Sequence, residues 1–365
     1  MKKARLRKQA ALYDPYLDTL GGGEKHILSI LKVLEDEGYQ INVFWDKNLQ
    51  PQIENRFRLQ FVNQIKFLPN IFAKQNSIGK LVTLKGFDIF FYVTDGSYFF
   101  SSAKKNFAFC MIPDKNLYKR SLINKLKTLN YRFITNSLFT QNWLNRWGVK
   151  SDVIYPYINK DFIDLKVNEL KKENIILSIG RFYSHLHSKK QSILINMFNK
   201  LKQSNPMFKN FKLIMAGGLK EEDKRYFSKL QLTVKNSPDT LLKTNLPYDK
   251  LLELYKKSLI YVHMTGFGVD ENKNPEQVEH LGIAPLEAMV SGCLTFCYSA
   301  GGPKEIIKDG ENGFLFKTQE ELSNKLSPVL LNPALQARIK NRAKQFVQDN
   351  FSYETFKKKI KEVIL

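Results

Sequence analysis

The chain is poor in cysteine, in acidic side chains and in long apolar runs, and each shortage removes a class of protein. Cys110, Cys293 and Cys297 are the only cysteines among 365 residues. They are too few, and odd in number, for a disulfide framework, which points to a reducing compartment. No stretch approaches the eighteen or so apolar residues of a membrane-crossing helix; residues 106–112 are a typical apolar run and read as a buried strand. Lys2, Lys3, Arg5, Arg7 and Lys8 precede only Ala10-Ala11-Leu12-Tyr13 before Asp14, too little apolar sequence for a secretory leader, so the expected location is the cytoplasm. Low-complexity tracts and short-period repeats are missing. So is G-x-G-x-x-G, which weakens a dinucleotide-dependent oxidoreductase reading. No aspartate has another two positions away, so the D-x-D pair of metal-dependent transferases is absent and no metal site is expected. Acidic residues number 35 against 57 basic, a net charge of +22 that divides evenly, +11 up to residue 165 and +11 beyond. Such a surface attracts polyanions: nucleic acid, anionic lipid or a phosphorylated substrate.

What is present is ample apolar material, 43% hydrophobic and 13% aromatic, in a chain of a length that suits two domains. Residues 10–13 form a short apolar strand, 14–23 a loop ending in three glycines, 24–37 an amphipathic helix and 41–45 a returning strand. That is a βαβ unit of the nucleotide-binding kind. Further apolar strands at 87–93, 106–112, 132–135 and 152–155 alternate with helical stretches at 121–129 and 139–147. Continuous apolar strands suit a parallel sheet covered on both faces. The pattern restarts with strands at 174–180, 212–216, 259–263 and 293–298, and helices at 191–203, 248–258 and 284–290. The predicted fold is α/β with two domains, 1–165 and 166–350, and a final helix within 351–365. The break falls in the polar stretch 158–174.

Three segments carry chemistry. Leu20-Gly21-Gly22-Gly23-Glu24 lies between a strand and a helix start, where glycines admit close backbone approach and free N–H groups attract an anion; a tight turn gives the same pattern. Gly180-Arg181 ends a strand and Lys189 precedes the next helix, so two cations converge where a diphosphate could sit, unless this is a solvated basic loop. His185 and His187 share that loop and are read as solvent-exposed. In Glu279-His280-Leu281-Gly282-Ile283-Ala284-Pro285-Leu286-Glu287, two carboxylates eight residues apart flank a glycine turn and a helix start. That directs one carboxylate toward a sugar and the other toward a ribose, with the Gly282 and Ile283 N–H groups toward a phosphate. Glu287 as a plain helix cap is the other reading.

The last segment resembles the E-x7-E motif of family-4 glycosyltransferases in its E-H-[FL]-G-I-x-x-x-E-A-M form. The likeness extends to the Gly21–Gly23 loop, Asn136-Ser137-Leu138-Phe139-Thr140, the Gly180-Arg181 and Lys189 pair, Gly301-Gly302-Pro303-Lys304-Glu305-Ile306 and Asp309-Gly310-Glu311-Asn312-Gly313-Phe314. The resemblance implies a GT-B fold, two Rossmann-like domains with parallel sheets facing across a cleft, an N-terminal acceptor domain and a C-terminal donor domain, and a final helix returning to the first. It implies retaining, metal-independent hexosyl transfer without a cofactor, the donor being GDP-mannose first and a UDP-sugar second. Glu279, Arg181 and Lys189 are then the catalytic set. Donor contacts are Gly22, Gly23, Gly180, Gly217, Leu281, Gly282, Ile283 and Glu287 besides those three, and Asp18 and Asp114 lie on the acceptor side. Two departures stand out. The family's histidine near the end of the fourth or fifth strand has no counterpart in Cys110-Met111-Ile112-Pro113-Asp114. A polar insertion at 271–278 precedes Glu279 and is read as shaping the sugar pocket.

Eight basic residues and one acid lie between Lys104 and Arg132, with Leu117, Leu122, Ile123, Leu126 and Leu129 at near-helical spacing. Two readings are open: an ordinary helix with its apolar side in the core, or contact with an anionic membrane, peripheral on the inner face, for a lipid-linked acceptor. A glycan acceptor is the other expectation. The rival functions are an inactive GT-B scaffold and a basic nucleic-acid-binding protein. No nucleic-acid partner is expected, since no such module or arginine-rich tract occurs.

Overall fold

Strands such as Ile89-Phe90-Phe91-Tyr92-Val93 show no apolar–polar alternation, and every residue of that strand is buried, as both-faced coverage requires. The computed structural model describes residues 7–184 and 188–365. The chain divides into Met1–Pro156 with Phe356–Leu365, and Tyr157–Thr355. The division falls at Pro156/Tyr157, upstream of the break drawn at residue 165.

The first unit holds seven parallel strands: β1 (Gln9–Tyr13), β2 (Gln40–Phe44), β3 (Lys66–Leu68), β4 (Ile89–Val93), β5 (Lys105–Cys110), β6 (Tyr131–Thr135) and β7 (Ser151–Val153). Their order is β3-β2-β1-β4-β5-β6-β7, so the chain reverses its direction of travel across the sheet between β1 and β4. One face is filled by aromatic side chains, among them Phe44, Phe90 and Tyr92, with Tyr13 stacked 3.9 Å from Phe72.

The second unit has β8 (Glu173–Ile179), β9 (Lys212–Gly217), β10 (Thr240–Thr244), β11 (Ser258–His263), β12 (Leu294–Tyr298) and β13 (Phe314–Phe316), all parallel in the order β10-β9-β8-β11-β12-β13. Here the reversal lies between β8 and β11. Phe198, Phe208, Leu213 and Phe296 belong to its core. In open parallel sheets, ligands bind beyond the carboxyl ends of the strands at such reversals.

Strands β3, β10 and β13 are absent from the sequence reading, and all three are sheet edges. β3 and β10 are half-solvated and so lack the apolar run that marks central strands, while β13, Phe314-Leu315-Phe316, is apolar but only three residues long. Helices Gln50–Phe57, Ser77–Leu84, Lys224–Val234 and Gln319–Leu330 were likewise not singled out. Among the described residues no helix is long and apolar enough to cross a membrane.

The last helix, Tyr353–Val363, is built into the first unit from Phe356 onward. Phe356, Ile360 and Val363 are buried, the His26 and Phe356 rings lie 5.8 Å apart, and the Val363 carbonyl accepts Arg132 Nη1 at 2.7 Å. Phe356→Ala should therefore lower stability by about 3–5 kcal/mol, measured by urea denaturation of the whole chain; a loss within about 0.5 kcal/mol would show the helix to be dispensable to that core.

Candidate functional site

Gly180 follows β8 and stands where no side chain fits. A Cβ there would lie 2.6 Å from Lys189 Cγ, and one on Gly217, at the end of β9, would lie 1.9 Å from the Gly180 carbonyl oxygen. The two glycines let neighbouring strand ends close up and let the Lys189 stem lie across them. Lys190 takes a left-handed φ of 53° at the cap of helix Gln191–Ser204, a strained backbone held just where Lys189 is aimed.

Lys189 Nζ meets Glu279 Oε2 at 2.6 Å, and His263 Nε2 meets the same oxygen at 2.7 Å. Burial alone would raise the Glu279 carboxyl; the Lys189 ammonium and the His263 bond outweigh it and hold the group well below the usual carboxylate range. Burial pushes His263 below its ordinary value, opposed by Glu279. An ionised carboxylate can only accept, so neutral His263 donates from Nε2 and accepts the Tyr261 hydroxyl at Nδ1, 3.2 Å away. His263 closes β11, directly beside β8, so this relay sits at the reversal of the second sheet.

Glu287 joins from one turn along helix Ile283–Val290, where its Oε2 accepts the Tyr255 hydroxyl at 2.9 Å. Burial raises the Tyr261 phenol, with Cys297, Glu279 and Glu287 adding to it, and the Tyr255 and Tyr261 rings stack 6.1 Å apart, so the ring bonded to Glu287 lies against the ring bonded to His263. The helix begins at Ile283, with Gly282 as its cap at φ 106°, a conformation that favours glycine. Leu281 is buried, and a Cβ on Gly302 would lie 2.3 Å from its Cα. From the insertion, Glu271 accepts the Gly301 N–H at 2.7 Å and pairs with Lys304, tying that segment to the glycine turn.

Arg181 is placed differently from the expectation. Its guanidinium donates to Asp223 Oδ2 from Nε (3.1 Å) and Nη2 (2.9 Å) and to Glu222 at 3.0 Å, while its carbonyl accepts from Gln191. Lys189 and Glu279 are paired, and Glu287 is linked to them through Tyr255 and Tyr261; the Arg181 head is turned to an acidic pair that the sequence reading did not name. His185 and His187 lie outside the described residues.

In the first unit, Gly21 caps helix Gly22–Asp36 and its N–H donates to Glu24 at 2.6 Å. Gly23 has a packing reason: a Cβ there would lie 2.0 Å from Met111 Sδ. Asp18 is exposed, whereas Asp114 accepts the Asn116 N–H at 2.8 Å and caps the turn Lys115–Tyr118. Cys110, in the stretch without the family histidine, is buried and its thiol is pushed up to about 12, so it is no nucleophile at neutral pH.

The residue missed there is Asp14, at the end of β1 beside the first sheet's reversal. It is 1% exposed; Oδ1 accepts the Tyr16 N–H at 2.9 Å, and Oδ2 is buried without a hydrogen-bond partner among the described residues. Burial, then the Glu24 carboxylate, raises it from 3.8 to about 8. Only burial carries that signal, and burial is not written in the local sequence.

Two open parallel α/β sheets, each with a topological reversal, and a Lys–Glu–His relay at the second define a protein of two Rossmann-like domains. Residues 159–346 match the family model Glycosyl transferases group 1, and the chain belongs to that family. It is 24% identical over 305 residues to the alpha-1,3/1,6-mannosyltransferase ALG2 of Dictyostelium discoideum, covering 73% of this chain and 71% of that protein. It is 25% identical to the human GDP-Man:Man(3)GlcNAc(2)-PP-Dol alpha-1,2-mannosyltransferase, covering 58% of this chain and 44% of that one; the chain spans under half the length of such relatives. Among solved structures, Anabaena Alr3699/HepE in complex with UDP superposes with a TM-score of 0.71 at 16% identity, covering 98% of this chain and 99% of that one. A glycosyltransferase from Rickettsia africae gives 0.72 at 17%, covering 98% of each chain. The fold is that of GT-B glycosyltransferases.

Since Asp14 binds its proton more tightly folded than unfolded, its contribution is complete below about pH 4 and is lost as pH rises toward 8. Asp14→Asn removes that dependence. The melting temperature of the variant relative to the parent should climb by about 5 °C or more from pH 5 to pH 8; a constant difference would show that Asp14 holds no proton there.

Proposed function

We propose that the chain is a retaining, metal-independent hexosyltransferase that takes its sugar from a nucleotide donor, with GDP-mannose first and a UDP-sugar second. The observation that carries this reading is the cation–carboxylate relay of Lys189, Glu279 and His263 at the β8/β11 reversal. GDP-mannose is favoured by the names of the mannosyltransferases the chain resembles; UDP is what one structural neighbour holds. The acceptor is a glycan or a lipid-linked one, and the enzyme works in the cytoplasm or on the inner face of its membrane.

The bond between the sugar's anomeric carbon and the diphosphate oxygen breaks, and the electron pair leaves with the diphosphate. Lys189 and Arg181 neutralise that developing charge, which substitutes for a metal ion. To do so they exchange internal partners, Glu279 for Lys189 and Asp223 with Glu222 for Arg181, for phosphate oxygens. The acceptor hydroxyl attacks on the same face and passes its proton to the departing phosphate oxygen. Glu279, kept ionised, then lies beside the positive charge that develops on the sugar ring, and Glu287 takes the ribose.

Thermal shift identifies the donor. GDP-mannose at about a hundredfold excess over its Kd should raise the melting temperature by about 5 °C, and UDP-sugars by less; a larger rise with a UDP-sugar reverses the assignment. Lys189→Ala and Arg181→Ala should each lower kcat by about tenfold to a thousandfold. Near-normal turnover in both would remove the proposed diphosphate anchor.

A further inference from the structure

The short helix Leu122–Lys127 in the first unit has no buried residue and carries its apolar side chains outward. Asn124 donates to the Lys119 carbonyl at 2.9 Å, and the buried Thr128 hydroxyl donates to the Asn124 carbonyl at 2.7 Å. Leu122, Ile123, Leu126 and Leu129 are 75%, 62%, 50% and 78% exposed. A surface helix ordinarily does the opposite. The reading of this segment as a helix with its apolar side in the core is therefore overturned; of that series Leu117 packs against the core.

Just upstream in the chain, a cavity of about 390 Å³ is lined by Lys115, Lys119, Arg120 and Arg146 with Tyr118 and Trp147. Among the described residues no carboxylate pairs with these four cations, nor with Lys125 or Lys127. Asp114, the one acid between Lys104 and Arg132, is turned to the Asn116 N–H. Tyr118 stacks on Trp147 at 6.0 Å, so two aromatic rings line the charged hollow, and Arg146 also lies over the neighbouring Trp143 ring at 4.5 Å.

We propose that this face docks on an anionic membrane surface, the four apolar side chains entering the boundary between headgroups and acyl chains while the cavity takes a lipid phosphate. Exposed apolar side chains gain by leaving water, unpaired cations gain by meeting headgroup phosphates, and tryptophan favours that interfacial depth. A nucleic acid would satisfy the cations and leave the leucines in water. A second copy of the chain would cover the leucines and oppose like charges. The surface serves a lipid-linked acceptor but does not rest on the transferase reading, since vesicle binding needs no turnover.

The full chain is mixed with vesicles of phosphatidylcholine alone or with about 30% phosphatidylglycerol, and pelleted. The anionic vesicles should retain about tenfold more protein, the excess vanishing near 0.5 M salt, with a blue shift of tryptophan emission. The double variant Leu122→Ser/Leu126→Ser, with an unchanged melting temperature, should lose about nine-tenths of that binding; Lys119→Glu/Arg120→Glu should abolish the anionic preference. Equal binding to both vesicles, or none to either, overturns the proposal. So does a dimer in sedimentation velocity that the serine variant dissolves, which would make the face an interface between copies.

Discussion

Glu279 is an ionised carboxylate with 17% of its side chain in contact with water, and it stands only because Lys189 and His263 compensate it. Removing one partner of such a pair typically costs about 3–5 kcal/mol, because an uncompensated charge remains. The need to bring Lys189 to that oxygen explains the neighbouring backbone. Gly180 clears room for the lysine stem, Gly217 lets β9 close against it, and Lys190 takes a strained φ to turn the chain into the next helix. From the other side, β11 must end on His263, and the Glu279 carboxylate, which can only accept, fixes which nitrogen of that ring carries the proton, leaving Nδ1 to the Tyr261 hydroxyl.

The same compensation gives the crevice its chemistry. Both cations are satisfied by the protein's own acids, Lys189 by Glu279 and, apart from it, Arg181 by Asp223 and Glu222. Under the proposed function, an arriving diphosphate would bring more negative charge than any one of these carboxylates, and so compete for both cations. The partners it displaces differ in setting: Asp223 is buried at the start of a helix, while Glu279 keeps its bond to His263. Lys189 can therefore change partners without leaving Glu279 bare.

The first unit manages charge differently. Asp14 at its sheet reversal is kept neutral by burial, where the second unit keeps a carboxylate ionised by pairing it. Among the described residues its outer cations around Lys119 and Arg146 meet no acid, beside leucines that face outward. A folded monomer gains nothing from that arrangement, which is the physical reason to assign it to a surface outside the chain.

How much of this was legible in the sequence follows from range. Apolar runs and glycine turns act locally, so the central strands, the glycine turns before two helices and the Lys189 and Glu279 candidates could be read directly, though those helices begin at Gly22 and Ile283, one or two residues before the starts read at 24 and 284. Edge strands such as β3 and β10 could not, because half-solvated strands need no apolar run. Nor could partners: Asp223 with Arg181, His263 with Glu279, and the unpartnered oxygen of Asp14 depend on which strand ends lie side by side. The leucines of helix Leu122–Lys127 show the limit most plainly. Their spacing made the helix amphipathic, but that its apolar side faces out could not be read from it, since periodicity fixes a helix's faces and only packing fixes its rotation.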